Sequence, residues 1–157
     1  MSLTIATQIF LSTIAFSEGT NERYDLTFNF HRIRMFDRHP AIVIKGQSYY
    51  SSAAGRYQFI QSTYVDMQRN CRLYKIPDFK PDSQDKAAVC LLERYKVKHN
   101  EIHLAKKNLQ TELNKVNMEW ASLPNSQLEQ PTNTIEKLWK FYKKESDKLN
   151  GKNNWRD

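Results

Sequence analysis

Glu18 is the residue whose chemistry is easiest to argue. It follows an apolar segment, Thr4 to Ser17, in which Ala6, Phe10 and Ile14 recur at four-residue steps with Ile5 and Ile9 beside them. That spacing predicts a largely buried helix, and Gly19 suits its C-terminus. A carboxyl in the last turn of such a helix is partly desolvated, which raises its pKa and lets it hold a proton at neutral pH. Position alone does not separate it from an ordinary surface glutamate at a helix end. Asp25 is the nearest second carboxylate, and its plain role is to hold the loop after the first helix by accepting backbone hydrogen bonds. His99 and His103 stand four apart, as helical metal ligands do. Glu101 does not complete a His-Glu-x-x-His motif, however, and no third ligand is evident, so the pair reads as solvated and no metal site is assigned. Cys71 and Cys90 either pair or remain two free thiols.

The elements that must position these groups change character along the chain. From Asn21 to Ser52 the alternation in Leu26-Thr27-Phe28-Asn29-Phe30, the run Ala41-Ile42-Val43-Ile44 and the turn signal Lys45-Gly46 predict short strands in a small antiparallel sheet. Helical spacing resumes after Ala54 with Tyr57, Ile60, Tyr64 and Met67. A further helix is expected from Ser83, capped by Asp82, with Ala88, Leu91, Leu92 and Tyr95 on one face. Ile102, Ala105, Leu109, Leu113 and Val116 continue the pattern, a short segment around Trp120 ends at Pro124, and a last helix begins near Asn133. The fold class is therefore α+β, mostly helical, with a small antiparallel sheet near the N-terminus. Residues 1–150 are expected to form a single domain and 151–157 a loose polar tail.

Composition narrows the partners. No run of 18 apolar residues occurs, and Met1–Phe16 lacks the basic segment of a secretory signal. The net charge of +7, from 24 basic and 17 acidic residues, favours anionic surroundings. The excess is spread over both halves of the chain, with neither a basic stripe nor a reading module, so no nucleic-acid partner is expected. Lys137, Lys140, Lys143, Lys144 and Lys148 accompany Leu138, Trp139, Phe141 and Tyr142 in the last helix. Such a basic amphipathic helix allows contact with an anionic membrane, although packing its apolar face on the domain is the more ordinary use.

Four blocks in order carry a resemblance: Ser17-Glu18-Gly19-Thr20, Ser51-Ser52-Ala53-Ala54-Gly55-Arg56-Tyr57-Gln58, Phe79-Lys80-Pro81-Asp82-Ser83-Gln84-Asp85 and Trp120-Ala121-Ser122-Leu123-Pro124. Together they resemble the bacteriophage lambda-type endolysins over nearly the whole chain. The resemblance implies a lysozyme-like fold and a lytic transglycosylase acting on the peptidoglycan glycan strand, as a monomer and without a cofactor. Glu18 would be the catalytic acid and then base, yielding a 1,6-anhydro sugar. A hydrolytic muramidase using Glu18 and Asp25 is the first alternative, and an inactive wall-binding or membrane-perturbing protein the second. Ser51, Ser52, Arg56, Tyr57, Gln58 and Gln130 are the expected substrate contacts beside Asp25. Gly55-Arg56-Tyr57-Gln58 would open a helix, Gly55 would let backbone approach the sugar, and Arg56 would meet a lactyl or peptide carboxylate. Tyr57 also reads as core. A phage origin would place the protein in the host cytoplasm and then the periplasm, reached with a separate permeabilising protein.

The chain departs from the family in two places. Leu128 and Glu129 stand where a tyrosine and a glycine are usual, and Asn29-Phe30 where paired glycines occur. The first change predicts an altered sugar subsite, the second an altered loop.

Overall fold

The computed structural model describes residues 2–128 and 130–157; the departure at Glu129 lies outside the described residues. Contacts group the chain into two compact units, one of residues 1–19 and 92–157 and one of residues 20–91. No described helix is long and apolar enough to cross a membrane.

The first unit is helical. Helix α1 (Ile5–Glu18) is capped by Thr4, whose hydroxyl accepts from the Thr7 N–H, and ends at Gly19 with φ 87°. In that left-handed conformation the Gly19 N–H reaches the Ala15 and Phe16 carbonyls and closes the helix one residue after the glutamate. Nine of its 14 residues are buried. Helix α5 (Ile135–Asn150) packs against both α1 and α4 (Lys106–Asn114). It buries Ile135, Leu138, Trp139 and Tyr142, so its apolar face is used up in the core. Lys137 and Lys143 lie over the Phe16 and Trp139 rings.

Two expectations about this unit need correction. The pattern from Ile102 to Val116 yields helix only over Lys106–Asn114, and Ala105 offers no side-chain cap. The tail supplies the missing acceptor. The Arg156 carbonyl takes the Lys106 N–H at 2.9 Å, while the Arg156 N–H donates to the Leu104 carbonyl at 2.7 Å. Residues 151–157 are therefore anchored rather than loose. Trp155 packs edge-on to Trp139, and the Trp139 indole N–H donates to Asp157.

The second unit holds the sheet, which is smaller than the sequence suggests. Strands β1 (Ile44–Lys45) and β2 (Tyr50–Ser51) pair antiparallel, Ile44 opposite Ser51. Leu26-Thr27 contributes only isolated bridges, to Arg32 and Ala54, because a tight 3-10 turn at Phe28–Phe30 interrupts the alternation. Asn29 and Phe30 adopt φ of 62° and 61° there. Both positions thus take the left-handed shape that glycine favours.

Helix α2 (Gln61–Asn70) starts after the Gly55–Gln58 segment, not within it, and α3 (Pro81–Arg94) starts with Pro81 in its first turn, ahead of the expected Ser83. Asp78, rather than Asp82, organises that start. Its carboxylate accepts from the Lys80 N–H at 3.0 Å and the Ser83 hydroxyl at 2.6 Å. Cys71 and Cys90 form a disulfide with Cα atoms 5.8 Å apart, joining the end of α2 to α3.

Candidate active site

Glu18 comes from the last turn of α1, where Gly19 releases the chain. The side chain is half-buried, and desolvation by the protein around it pushes its pKa up to about 7. A hydrogen bond with Ser122 works the other way by favouring the charged form.

Ser122 belongs to a connected set of hydroxyl and amide groups. Its Oγ lies 2.8 Å from Ser17 Oγ, and the Asn133 amide donates to Ser17 Oγ at 3.0 Å and to the Ser17 carbonyl at 2.9 Å. The Asn133 N–H donates to the Ser122 carbonyl at 2.7 Å. Counting protons fixes the direction. Asn133 can only donate through its nitrogen, so with Ser122 donating to Glu18 the Ser17 hydroxyl donates to Ser122. One residue next to the glutamate and two far along the chain therefore converge on it. Ser17 and Ser122 belong to the quoted motifs without a role assigned, and nothing in the sequence marks Asn133.

The residues expected to hold substrate lie mostly in the second unit, and several are committed to its interior. Tyr57 has no exposed surface, and its hydroxyl donates to Asp85 at 2.6 Å. Tyr24 donates to the same carboxylate at 2.9 Å. Burial pushes Asp85 above its ordinary value, while these tyrosine hydrogen bonds pull it back. Arg56 reaches both tyrosine hydroxyls, at 3.2 and 3.1 Å, and the Asn21 carbonyl at 2.8 Å. Its guanidinium is thereby engaged within the fold.

Gly55 is required by packing. With φ of 83°, a Cβ there would lie 2.3 Å from Gln84 Oε1 and 2.8 Å from Phe79. Buried Gln84 accepts from the Arg56 N–H at 2.9 Å and donates to the Phe79 carbonyl at 2.7 Å. This explains Gln84 and Asp85 in their block: they fasten the Gly55–Gln58 turn. The sequence shows the block but not its partners 28 to 61 residues away.

Gln58, Ser51 and Ser52 retain open valences. Gln58, at φ 48°, donates through Nε2 to the Leu26 and Gly55 carbonyls, and its Oε1 has no partner among the described residues. Ser51 and Ser52 accept the Ala53 and Gln61 N–H groups, which leaves each hydroxyl proton to donate elsewhere. Gln130 is exposed in the first unit. Asp25 is bound by Arg23 through two 2.9 Å contacts and by Arg32 at 3.5 Å. The Arg23 hydrogen bonds hold its carboxyl below the ordinary range. A backbone N–H also hydrogen-bonds to it, in keeping with the structural role expected of it.

His99 and His103 are buried, contrary to the solvated reading. His99 Nε2 donates to Glu93 at 2.7 Å and its Nδ1 lies 2.8 Å from Thr7 Oγ1; His103 Nε2 donates to the Lys98 carbonyl. His99 is thus satisfied by Thr7 of α1 and Glu93 of α3, and His103 by the loop carbonyl of Lys98.

The Endolysin family model matches residues 8–149. Among solved structures, bacteriophage lambda lysozyme complexed with a chitohexasaccharide superposes with a TM-score of 0.80 at 22% identity, covering 93% of this chain and 97% of that one. A second structure, lysozyme from bacteriophage lambda, gives 0.72 at 20% identity, covering 97% and 98%. These likenesses show a lysozyme-like α+β fold. No curated protein matches the sequence.

Proposed function

The chain belongs to the endolysin family of peptidoglycan-degrading enzymes, and from that premise we propose that it is a lytic transglycosylase that uses Glu18 as its single catalytic carboxyl. One observation carries this reading: the Glu18 carboxyl, with a pKa of about 7, is largely protonated below neutrality and readily ionised above it. Such a group serves in turn as acid and base. Glu18 protonates the glycosidic oxygen as the bond between N-acetylmuramic acid and N-acetylglucosamine breaks. The muramic acid 6-hydroxyl then attacks the anomeric carbon and returns its proton to Glu18. A 1,6-anhydro end forms, no water is consumed, and the enzyme is restored. The commitment of Asp25 to two arginines supports the one-carboxylate route, since the two-carboxylate route needs a free second carboxyl.

The glycan contacts in this reading are the groups with unused valences. The Gln58 Oε1 accepts from an N-acetyl N–H, the Ser51 and Ser52 hydroxyls donate to sugar oxygens, and the exposed Gln130 offers both. Tyr57 and Arg56 contribute by fixing the Gln58 turn. The test is digestion of purified Gram-negative peptidoglycan by wild type and Glu18→Gln, with mass spectrometry of the soluble fragments. Anhydro-muropeptides from the wild type alone are expected. Fragments one water heavier would overturn the transglycosylase in favour of the muramidase, and no release by the wild type would overturn the enzyme.

A further inference from the structure

The segment following Asp25 lines an open cleft of about 630 Å³ within the second unit, a volume in the range of pockets that hold small ligands. The catalytic reading makes no use of it. Its wall alternates: Arg32 is exposed, Ile33 is 5% exposed and Arg34 is exposed again, so both guanidinium groups flank the cavity that Ile33 helps to floor. Arg38 lines it as well. The floor is built rather than incidental. Buried His39 donates through Nε2 to the Phe59 carbonyl at 2.7 Å and accepts the Ala41 N–H at 3.0 Å, which pins the turn at Ala41. Arg32 shares Asp25 at 3.5 Å and Arg38 shares Asp37 at 3.6 Å, while Arg34 has no partner among the described residues. Asp37 is the one acidic side chain in the lining, against three arginines.

We infer that this cavity receives the acidic peptide carried by the glycan substrate, with Arg34 and Arg38 taking its carboxylates and Met35 and Ile42 covering its aliphatic stems. The inference rests on the peptidoglycan reading above. Arginine matches a carboxylate with two parallel hydrogen bonds. The lining contains no phenyl, phenol or indole ring, so it lacks the platform on which sugars or nucleobases stack. Its concave shape suits a compact ligand better than a flat lipid surface. The cavity also adjoins the proposed glycan contacts. Thr27 in its wall bridges to Ala54, and the Gln61 N–H donates to Ser52 Oγ at 3.1 Å.

The test uses the full chain and the tripeptide Ala-γ-Glu-diaminopimelate, free or with its carboxylates amidated, followed by amide chemical shifts. The free tripeptide is expected to bind wild type at least tenfold more tightly than the amidated one. Arg34→Glu should lose at least tenfold, and Arg34→Lys should lose less. On intact peptidoglycan Arg34→Glu should raise KM severalfold, and on strands stripped of peptide by an amidase it should leave KM unchanged. Equal binding of both tripeptides, or equal KM effects on both substrates, would overturn the inference while leaving the catalytic reading in place. Selective binding by a wild type that digests neither substrate would uphold the cavity as a peptide site and remove the catalytic reading instead. Loss of binding to vesicles of phosphatidylcholine and phosphatidylglycerol, with tripeptide binding unchanged in Arg34→Glu, would assign the arginines to a membrane and overturn it.

Discussion

At the scale of single residues, the proton on Glu18 links activity to stability. Its folded pKa of about 7 lies above the value near 4.5 of a free glutamate, so the folded state holds a proton that the unfolded chain releases between those pH values. Stability therefore falls as pH rises from about 4.5 to about 7 and then levels off, because above 7 the native state carries a desolvated carboxylate. Glu18→Gln removes that cost. The variant should match wild type at pH 4 and exceed it at pH 8 by up to about 3 kcal/mol, read from urea unfolding midpoints; equal midpoints at pH 8 would show that the carboxyl is not desolvated. Ser122 tests the same group from the other side. Its hydrogen bond favours the carboxylate, so Ser122→Ala should raise the Glu18 pKa and carry the alkaline fall in kcat/KM to higher pH. With the orienting contact gone, kcat should drop by about tenfold. A kcat loss with an unmoved pH profile would leave Ser122 a structural role only.

At the scale of elements, α5 contains a misfit that predicts a gain. Ser146 is fully buried, and its hydroxyl has no hydrogen-bond partner among the described residues. Ser146→Ala removes an unpaired buried polar atom and improves helix propensity, so thermal unfolding should show stabilisation of about 1–2 kcal/mol; destabilisation would mean that the hydroxyl holds a water. The elements also show what a sequence can disclose. Helices α1 and α5 are legible because their 3.6-residue spacing is local, and Glu18 is legible because Gly19 stops α1 beside it. The sheet is not. Asn29 and Phe30 turn left-handed in the middle of an alternating run, and a period-two pattern carries no sign of φ. Tyr57 and Arg56 look available for substrate until Asp85, supplied by α3, is seen to hold the Tyr57 hydroxyl, and Asn21, Tyr24 and Tyr57 the Arg56 guanidinium. The tail looks loose because its anchoring partners, the Lys106 N–H of α4 and the Trp139 indole of α5, lie far from it in sequence.

At the scale of the molecule, the two units are held by different means. The first is built on α1, α4 and α5, whose apolar faces supply Phe10, Ile14, Leu113 and Leu138 to a core that also buries Trp120. The second has two strands of two residues each and relies on a cluster of His39, Phe59, Tyr64 and Phe79, on the Gln84–Asp85 hydrogen bonds and on the Cys71–Cys90 disulfide. Cysteine count alone left that bond undecided; the approach of α2 to α3 decides it. Closing a loop of 19 residues restricts the unfolded chain by about 3 kcal/mol at 25 °C. That restriction acts on residues 71–90, all within the second unit. Reduction, or the pair Cys71→Ser and Cys90→Ser, should therefore speed hydrogen exchange of the slowest amides in the second unit, such as Phe59, on the order of a hundredfold. The amides of α1 and α5 should change less, because no restriction has been lifted from their segments. A uniform hundredfold rise would instead show that both units open together in one cooperative step, and no rise at all would show that packing of Tyr64 and Phe79 holds α2 and α3 without the covalent link.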